Sequence, residues 1–173
     1  MKNIQGFTLI ELVIVIVILG ILSVFAAPKF LGISRDAKIA TLETMEATLR
    51  TGAKMVYAKA VIQGKDVGAD KITVDNATID IHSGYPQGTW VNSIRYIVGL
   101  DNVNFSKPNE RCRRDWCGRG NQLRTPSGKT STRPGSIVKI YSNGFRWRDE
   151  CGVYYINHAD GREPEIGIES KDC

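Results

Sequence analysis

The chain has 173 residues and a formal net charge of +5, which is enough length for one domain with a modest core. This mildly basic charge does not by itself indicate a nucleic-acid-binding protein. We found no Ser-His-Asp arrangement, phosphate-binding glycine loop or paired catalytic carboxylate, so we expect neither an enzyme nor a cofactor or metal.

A hydrophobic run occupies residues 7–27, after a short polar leader that ends at Gly6. Its 21 residues are close to the ~20 that cross a bilayer. A secretory signal cut after Ala26 is the alternative, but signals have apolar stretches of about 7–15 residues. The run also contains Glu11, and a carboxylate inside a bilayer costs about 2.5–3.5 kcal/mol and usually has a partner. We therefore predict a membrane helix with a functional carboxylate.

From Lys29 onward the pattern becomes amphipathic, with apolar residues at three- and four-residue spacing. The predicted apolar stripe is Leu42, Met45, Leu49, Ala53, Val56 and Ala60. One helix from Phe7 to Gln63 is expected, with a break in the form of a bend or local unwinding between Pro28 and Gly32.

After this helix the sequence predicts short strands around Ile72–Val74 and Thr78–Ile81. A short helix over Thr89–Leu100 would then place Val91, Ile94 and Val98 on one apolar face.

Two-residue alternation begins after Gly135 and predicts an antiparallel meander. Ile137–Ser142 and Phe145–Arg148 flank Asn143-Gly144, which is a type I′ hairpin signal. Two further strands are predicted at Gly152–Asn157 and Glu165–Glu169. The expected fold class is α+β, with a long N-terminal helical spine, half membrane and half amphipathic, packed on a C-terminal antiparallel sheet.

Four cysteines lie beyond the apolar segment: Cys112, Cys117, Cys151 and Cys173. Two disulfides in an oxidising compartment fit them better than a zinc site, because paired short spacings and nearby histidines are missing. All three connectivities remain open on this reasoning. The cysteines favour export of the C-terminal part, whereas Lys29, Arg35 and Lys38 after the span oppose it under the positive-inside rule. We give more weight to the cysteines.

The stretch GFTLIELVIVIVILGILSVFAAPKF resembles the prepilin leader and N-terminal helix of type IV pilins, over about the first quarter of the chain. The resemblance implies that a prepilin peptidase cuts after Gly6 and methylates Phe7, that Glu11 promotes assembly, and that Pro28 marks a weak point of the helix. We expect Glu11 to pair with the Phe7 amine of a neighbouring copy, since an unpaired buried charge is costly. Alternatively, Glu11 reaches the membrane interface or pairs with its own amine.

A second, shorter stretch, Gly84-Tyr85-Pro86 followed by Trp90, resembles the mannose-sensitive haemagglutinin pilins. Resemblance to pilins also implies a Cys151–Cys173 disulfide, which leaves Cys112 to pair with Cys117. It divides the chain into a cleaved leader 1–6, a membrane and filament-core helix 7–27, an amphipathic helix 28–63 and a globular head 64–173.

The expected function is that of a structural subunit of a type IV pilus, first held in inner-membrane lipid and then polymerised as a homo-oligomeric filament. Expected partners are the prepilin peptidase and methyltransferase, the pilus assembly machinery of the inner membrane, and a host or abiotic surface. A pseudopilin or minor pilin is one alternative, and a DNA-binding pilin is another.

The DNA-binding alternative depends on a basic loop, Asn104–Ser136, which is rich in turn residues and has eight Lys or Arg residues against two acidic ones. Its candidate anion-contacting residues are Arg111, Arg113, Arg114, Trp116 and Arg119. Arginines would neutralise phosphates while a base stacks on the indole. We favour the simpler interpretation, a surface loop whose arginines are solvated or pair with acidic patches of neighbouring subunits.

Overall fold

The structure, a computed structural model, describes residues 7–100, 104–105, 107–133 and 136–173, with the side chains of 27–31 and 104–105 left undescribed. The predicted leader 1–6 lies outside the described residues. The chain divides into two compact units, with the boundary between Lys38 and Ile39. The first unit consists of the N-terminal part of a long helix. The second contains the C-terminal part of that helix, two sheets and two disulfides.

The long helix, α1, spans Leu9–Ile62. Its C-terminus is a Schellman motif, in which the Gly64 amide donates to the Val61 carbonyl at 3.0 Å and the Lys65 amide to the Ala60 carbonyl at 2.8 Å. Gly64 has φ 66°, a left-handed conformation that glycine adopts without steric cost. The glycine therefore ends α1 where the sequence predicts.

Local unwinding at Pro28 and Gly32 is not observed in the described backbone, which is α-helical through both residues. A proline removes one amide donor, and the hydrogen bonds of its neighbours hold the remaining turns. The prediction of local unwinding was therefore wrong, whereas the alternative form of the predicted break, a bend of the helix, stays a prediction. Both ends of α1 lie within two residues of the predicted limits, Phe7 and Gln63.

The apolar stripe of α1 lies in the core of the second unit. Its members are all buried: Leu42, Met45, Leu49, Ala53, Val56 and Ala60. The first four pack against the larger sheet and Trp90, whereas the last two pack against the smaller sheet. Burying one large aliphatic side chain contributes roughly 1.5–3 kcal/mol, so the stripe fixes the helix on both sheets.

The smaller sheet has three antiparallel strands in the order β1–β2–β3. They are β1 (Ala69–Val74), β2 (Ala77–His82) and β3 (Tyr85–Pro86). The turn residues Asp75 and Asn76 have φ of 46° and 65°, as a two-residue type I′ turn requires. β1 and β2 confirm the two short strands that the sequence predicts in this region.

A helical segment follows, with a π-helix at Trp90–Ile94 and a short α-helix, α2, at Arg95–Ile97. Ile94 and Val98 are buried as predicted, but Val91 is 51% exposed and Trp90 is buried instead. A π-helical turn holds more residues than an α-helical turn, so the α-helical spacing assigned the wrong residue to the core at this position.

The larger sheet has five strands in the order β4–β5–β6–β7–β8, and only the β4–β5 pair is parallel among its described pairings. They are β4 (Asn104–Phe105), β5 (Trp116–Gln122), β6 (Ile137–Ser142), β7 (Gly152–Ile156) and β8 (Glu165–Glu169). β6, β7 and β8 form the predicted antiparallel meander, which completes the α+β fold.

β5 lies within the basic loop, so the prediction of a turn-rich loop was wrong for Trp116–Gln122. Glycines usually weaken a strand, and two of them obscured this one in the sequence. A Cβ on Gly118 would come within 2.4 Å of the Trp90 ring, and a Cβ on Gly120 would come within 2.3 Å of the Trp90 backbone nitrogen. These glycines let the helical segment lie directly against β5.

The predicted hairpin at Asn143-Gly144 was also wrong, because β6 pairs with β7 rather than with a strand at 145–148. Gly144 has φ 86°, and the Phe145 amide donates to the Ser142 carbonyl at 3.2 Å. A glycine with positive φ in the third position is typical of a type II turn, which does not match the twist of a tight hairpin. The residues after this turn bond to the Cys112 segment instead.

A buried ion pair joins Lys139 of β6 to Glu169 of β8, with side-chain exposures of 0% and 2%. Lys139 also donates to the Asp149 carbonyl at 2.6 Å, and the Ser127 amide donates to Glu169 at 3.0 Å. Burial lowers the pKa of Lys139. Burial alone would raise the pKa of Glu169, but the Lys139 ammonium and these hydrogen bonds lower it. The pair thus holds the C-terminal strand to the middle of the sheet.

We expect Glu169→Gln to lower the free energy of unfolding by about 3 kcal/mol or more, because it leaves a buried ammonium unpaired. In the parent this stabilisation is complete above the ordinary pKa of a glutamate and is lost as the pH falls through the lower folded-state value. Denaturant unfolding of the detergent-solubilised protein at several pH values, followed by tryptophan fluorescence, measures both effects.

The matched control is Glu165→Gln, which removes the exposed partner of Lys129 and should cost less than about 1 kcal/mol. Equal losses in the two variants would contradict a special role of the buried pair.

Candidate functional site

The first unit presents an apolar helix that the described part of the chain leaves uncovered. Leu9–Ala26 is long and apolar enough to cross a membrane. Its large apolar side chains up to Phe25 are between 43% and 80% exposed. An apolar surface of this extent marks contact with lipid or with other protein chains.

Glu11 closes the first turn of this helix. The Thr8 amide and hydroxyl donate to its Oε2 at 2.9 and 2.7 Å, and the Glu11 amide lies 3.3 Å from Thr8 Oγ1. This reciprocal pattern is a capping box. Sequence reasoning missed it, although a threonine three residues before a glutamate at the start of an apolar run is its known signal. Oε1 of Glu11 accepts no hydrogen bond from the described residues.

Phe7 lies directly before the N-capping threonine and is 82% exposed. Gly6, the other residue of the predicted cleavage site, lies outside the described residues. Phe7 and Glu11 are about one helical turn apart, so both predicted assembly residues are at the N-terminal end of the apolar helix. The predicted break residues, Pro28 and Gly32, lie beyond its C-terminal end.

The four cysteines form two disulfides, which confirm the Cys151–Cys173 pair that the pilin resemblance implies and the remaining pair, Cys112–Cys117. Cys151–Cys173 has a Cα–Cα distance of 5.0 Å and closes the C-terminal segment onto the start of β7. Cys112–Cys117 has a Cα–Cα distance of 5.7 Å and closes a short loop at the start of β5. Disulfides of this kind are typical of proteins that fold outside the cytoplasm.

The Cys112–Cys117 loop lies against the turn that follows β6. The Cys112 amide donates to the Phe145 carbonyl at 2.8 Å, and the Gly144 amide donates back to the Cys112 carbonyl at 2.9 Å. Arg111 Nη1 donates to the Gly144 carbonyl at 2.7 Å. These bonds hold the segment that carries Arg111, Arg113 and Arg114 against the turn after β6. Arg146 and Arg148 follow directly after that turn.

A groove of about 610 Å³ lies between the two segments, and Arg111, Arg113 and Arg146 contribute to its walls together with Glu110. The exposed arginines of the two segments are Arg111, Arg113, Arg114, Arg146 and Arg148. Sequence reasoning missed the last two because it placed them on a strand. The signal in the sequence was the alternation of these two arginines with Phe145 and Trp147. The two aromatic side chains lie towards the interior, and the arginines are exposed.

The other two predicted anion-contacting residues lie elsewhere. Trp116 is half-buried and packs against the core formed by α1 and the larger sheet. Arg119 is half-buried on β5, opposite Lys139 in the register. Beyond β5, Lys129 pairs with Glu165, and Arg124 and Arg133 are exposed. The predicted basic loop is therefore divided by a strand into two basic groups.

The chain is similar to one protein family and to several curated proteins. Residues 1–27 match the prokaryotic N-terminal methylation motif. A "Type IV narrow pilus major component PilA5" of Thermus thermophilus is 38% identical over 90 residues, which are 51% of this chain and 71% of that protein. A "Fimbrial protein" of Dichelobacter nodosus is 32% identical over 123 residues, or 62% of this chain and 76% of that protein.

A "Fimbrial protein" of Pseudomonas aeruginosa is 34% identical over 67 residues, which are 39% of this chain and 41% of that protein. No solved structure matches the chain at a significant level.

An N-terminal apolar helix that carries a methylation motif and continues into an α+β head defines a pilin-like subunit. The similarity covers more than two thirds of the Thermus and Dichelobacter proteins. The chain belongs to the type IV pilins, and it is a structural subunit of a pilus.

Proposed function

We propose that the chain is the major subunit of a type IV pilus that attaches cells to host or abiotic surfaces. The observation that carries this proposal is the exposed apolar helix Leu9–Ala26, which requires lipid before assembly and other subunits afterwards. The Thermus relative, described as a major component of a narrow pilus, supports a major rather than an accessory role. Motility or DNA capture would be further activities of the same filament.

In this proposal the precursor crosses the bacterial inner membrane once, with the head in the periplasm, where disulfides form. A prepilin peptidase cuts after Gly6 and methylates Phe7, and the assembly machinery then transfers the subunit into the filament. Residues 7–27 form the filament core, residues 28–63 continue the spine and residues 64–173 form the head.

Assembly is proposed to depend on an ion pair between Glu11 and the Phe7 amine of a neighbouring subunit. The capping box uses Oε2 of Glu11, and Oε1 accepts from none of the described residues, so we assign Oε1 to the proposed pair. In a water-poor filament core an unpaired carboxylate is costly, so the pair would fix the register of one subunit against the next.

Glu11→Gln separates capping from charge pairing. Glutamine can still accept the Thr8 amide in a capping box, but it carries no charge. We expect the variant to accumulate in the membrane while sheared filaments decrease roughly tenfold or more. Thr8→Ala is the control, since it removes the cap and keeps the carboxylate, and it should still assemble. Normal filaments from Glu11→Gln would contradict the ion pair.

A pseudopilin or minor pilin remains the alternative to a major subunit, and mass spectrometry of sheared surface filaments distinguishes them. We expect the main band to contain this chain, beginning at Phe7 and one methyl group heavier than the unmodified peptide. Electron microscopy of the same preparation confirms that filaments are present. Detection in trace amounts alone would assign the chain to an accessory role.

DNA binding is a second candidate function, favoured by the exposed arginines of the Cys112–Cys117 region. Arg113 and Arg114 form no ion pair among the described residues, so their charge is available to a polyanion.

Filter binding of DNA to purified filaments tests this candidate. Replacing Arg111, Arg113 and Arg114 by Ala should lower the affinity roughly tenfold or more at low salt. No DNA binding by the parent, or unchanged affinity in the variant, would exclude a DNA-binding role of this loop.

A further inference from the structure

Two separate chain segments contribute arginines to one surface of the head. Backbone bonds between Cys112 and the Gly144–Phe145 pair hold the Cys112–Cys117 loop onto the turn after β6. We name the resulting surface the arginine groove. Arg111, Arg113 and Arg146 line it, and the exposed Arg114 and Arg148, which lie one and two residues further along the same segments, are counted with it. Arg146 and Arg148 lie outside the segment 104–136 to which the sequence confined the basic charge.

The charge of this surface is not neutralised within the described chain. Arg111 donates to a carbonyl, and the guanidinium groups of the other four form no ion pair with a carboxylate of the described residues. Elsewhere in the second unit most cations have an acidic partner, as in Lys65–Asp70, Lys129–Glu165 and Arg162–Asp160. Five exposed arginines without carboxylate partners on one surface produce a local positive potential that attracts a polyanion.

The available contacts suit phosphates rather than bases. A guanidinium presents a planar fork of donors that matches a phosphate group. Recognition of single strands depends on exposed aromatic side chains for base stacking. In the two segments, Trp116 and the half-buried Phe145 pack against buried clusters and Trp147 is itself buried. Glu110 on the groove wall, Asp115 in the disulfide loop and Asp149 after Arg148 supply three negative charges against the five arginines, so the surface has an excess of two positive charges.

We propose that the arginine groove binds the phosphate backbone of duplex DNA without sequence preference, and that Arg146 and Arg148 contribute as much as the arginines of the disulfide loop. The inference rests on the second candidate function, DNA binding. It adds the second segment, excludes stacking on Trp116, and makes the Cys112–Cys117 loop the element that positions the site.

The test compares two charge-matched double variants in purified filaments. Arg146→Gln with Arg148→Gln removes two charges from the arginine groove. Arg124→Gln with Arg133→Gln removes two exposed charges from the other basic group. Filament formation by electron microscopy is the control for folding and assembly in both. Affinity for a duplex of random sequence, and for a single strand of equal length, is measured over a range of salt concentrations.

We expect the groove variant to bind the duplex roughly tenfold more weakly at low salt, with the slope of log affinity against log salt reduced by about 2, since each phosphate contact contributes about 0.9. The control variant should bind like the parent, and the single strand should not bind more tightly than the duplex.

Equal losses of DNA affinity in both variants would indicate general attraction to positive charge rather than binding at the groove, and would overturn the inference. DNA binding that is unchanged in the groove variant would overturn it too, while leaving a DNA-binding role of the chain intact. Tighter binding of the single strand would contradict backbone recognition. Absence of DNA binding by the parent filaments would exclude both the inference and the second candidate function.

Discussion

The hydrophobic surface of Leu9–Ala26 is the constraint on which the rest of the molecule depends. Nothing in the described chain covers it, and water is an unfavourable environment for so much apolar area. Lipid and other copies of the same helix are the two environments that satisfy it. The second unit has a core of its own, formed by one face of the C-terminal part of α1 and the two sheets.

The second unit obtains its stability from one face of α1 and from connections across the sheet. The same helix that is apolar all round near its N-terminus becomes one-sided after Lys38, with Leu49 and Ala60 buried. At the C-terminal end of the chain, the Cys151–Cys173 disulfide and the Lys139–Glu169 pair hold the last strand. Covalent and ionic links thus secure the part of the chain that is most distant in sequence from the helical spine.

Periodicity in the sequence predicted the elements whose burial follows a regular pattern, namely α1, β1, β2 and the meander. It failed at β5, because Gly118 and Gly120 are required by the approach of Trp90, a tertiary contact that no local pattern contains. Arg146 and Arg148 were missed for a related reason, since the turn at Asn143-Gly144 bonds to Cys112 instead of closing a hairpin. Conversely, the capping box at Thr8 was readable from sequence and was overlooked.

The capping box also gives a physical reason for placing a carboxylate at Glu11. A helix N-terminus carries a partial positive charge, and the proposed cleavage after Gly6 would add a full ammonium one residue before the N-cap. A cation at that end of a helix is unfavourable unless an anion lies in the first turn. Glu11 supplies this anion and already accepts from Thr8 through one oxygen. The proposed processing of the leader would therefore change Glu11 from a capping group into a group with an additional cation to neutralise, either in its own chain or in a neighbour.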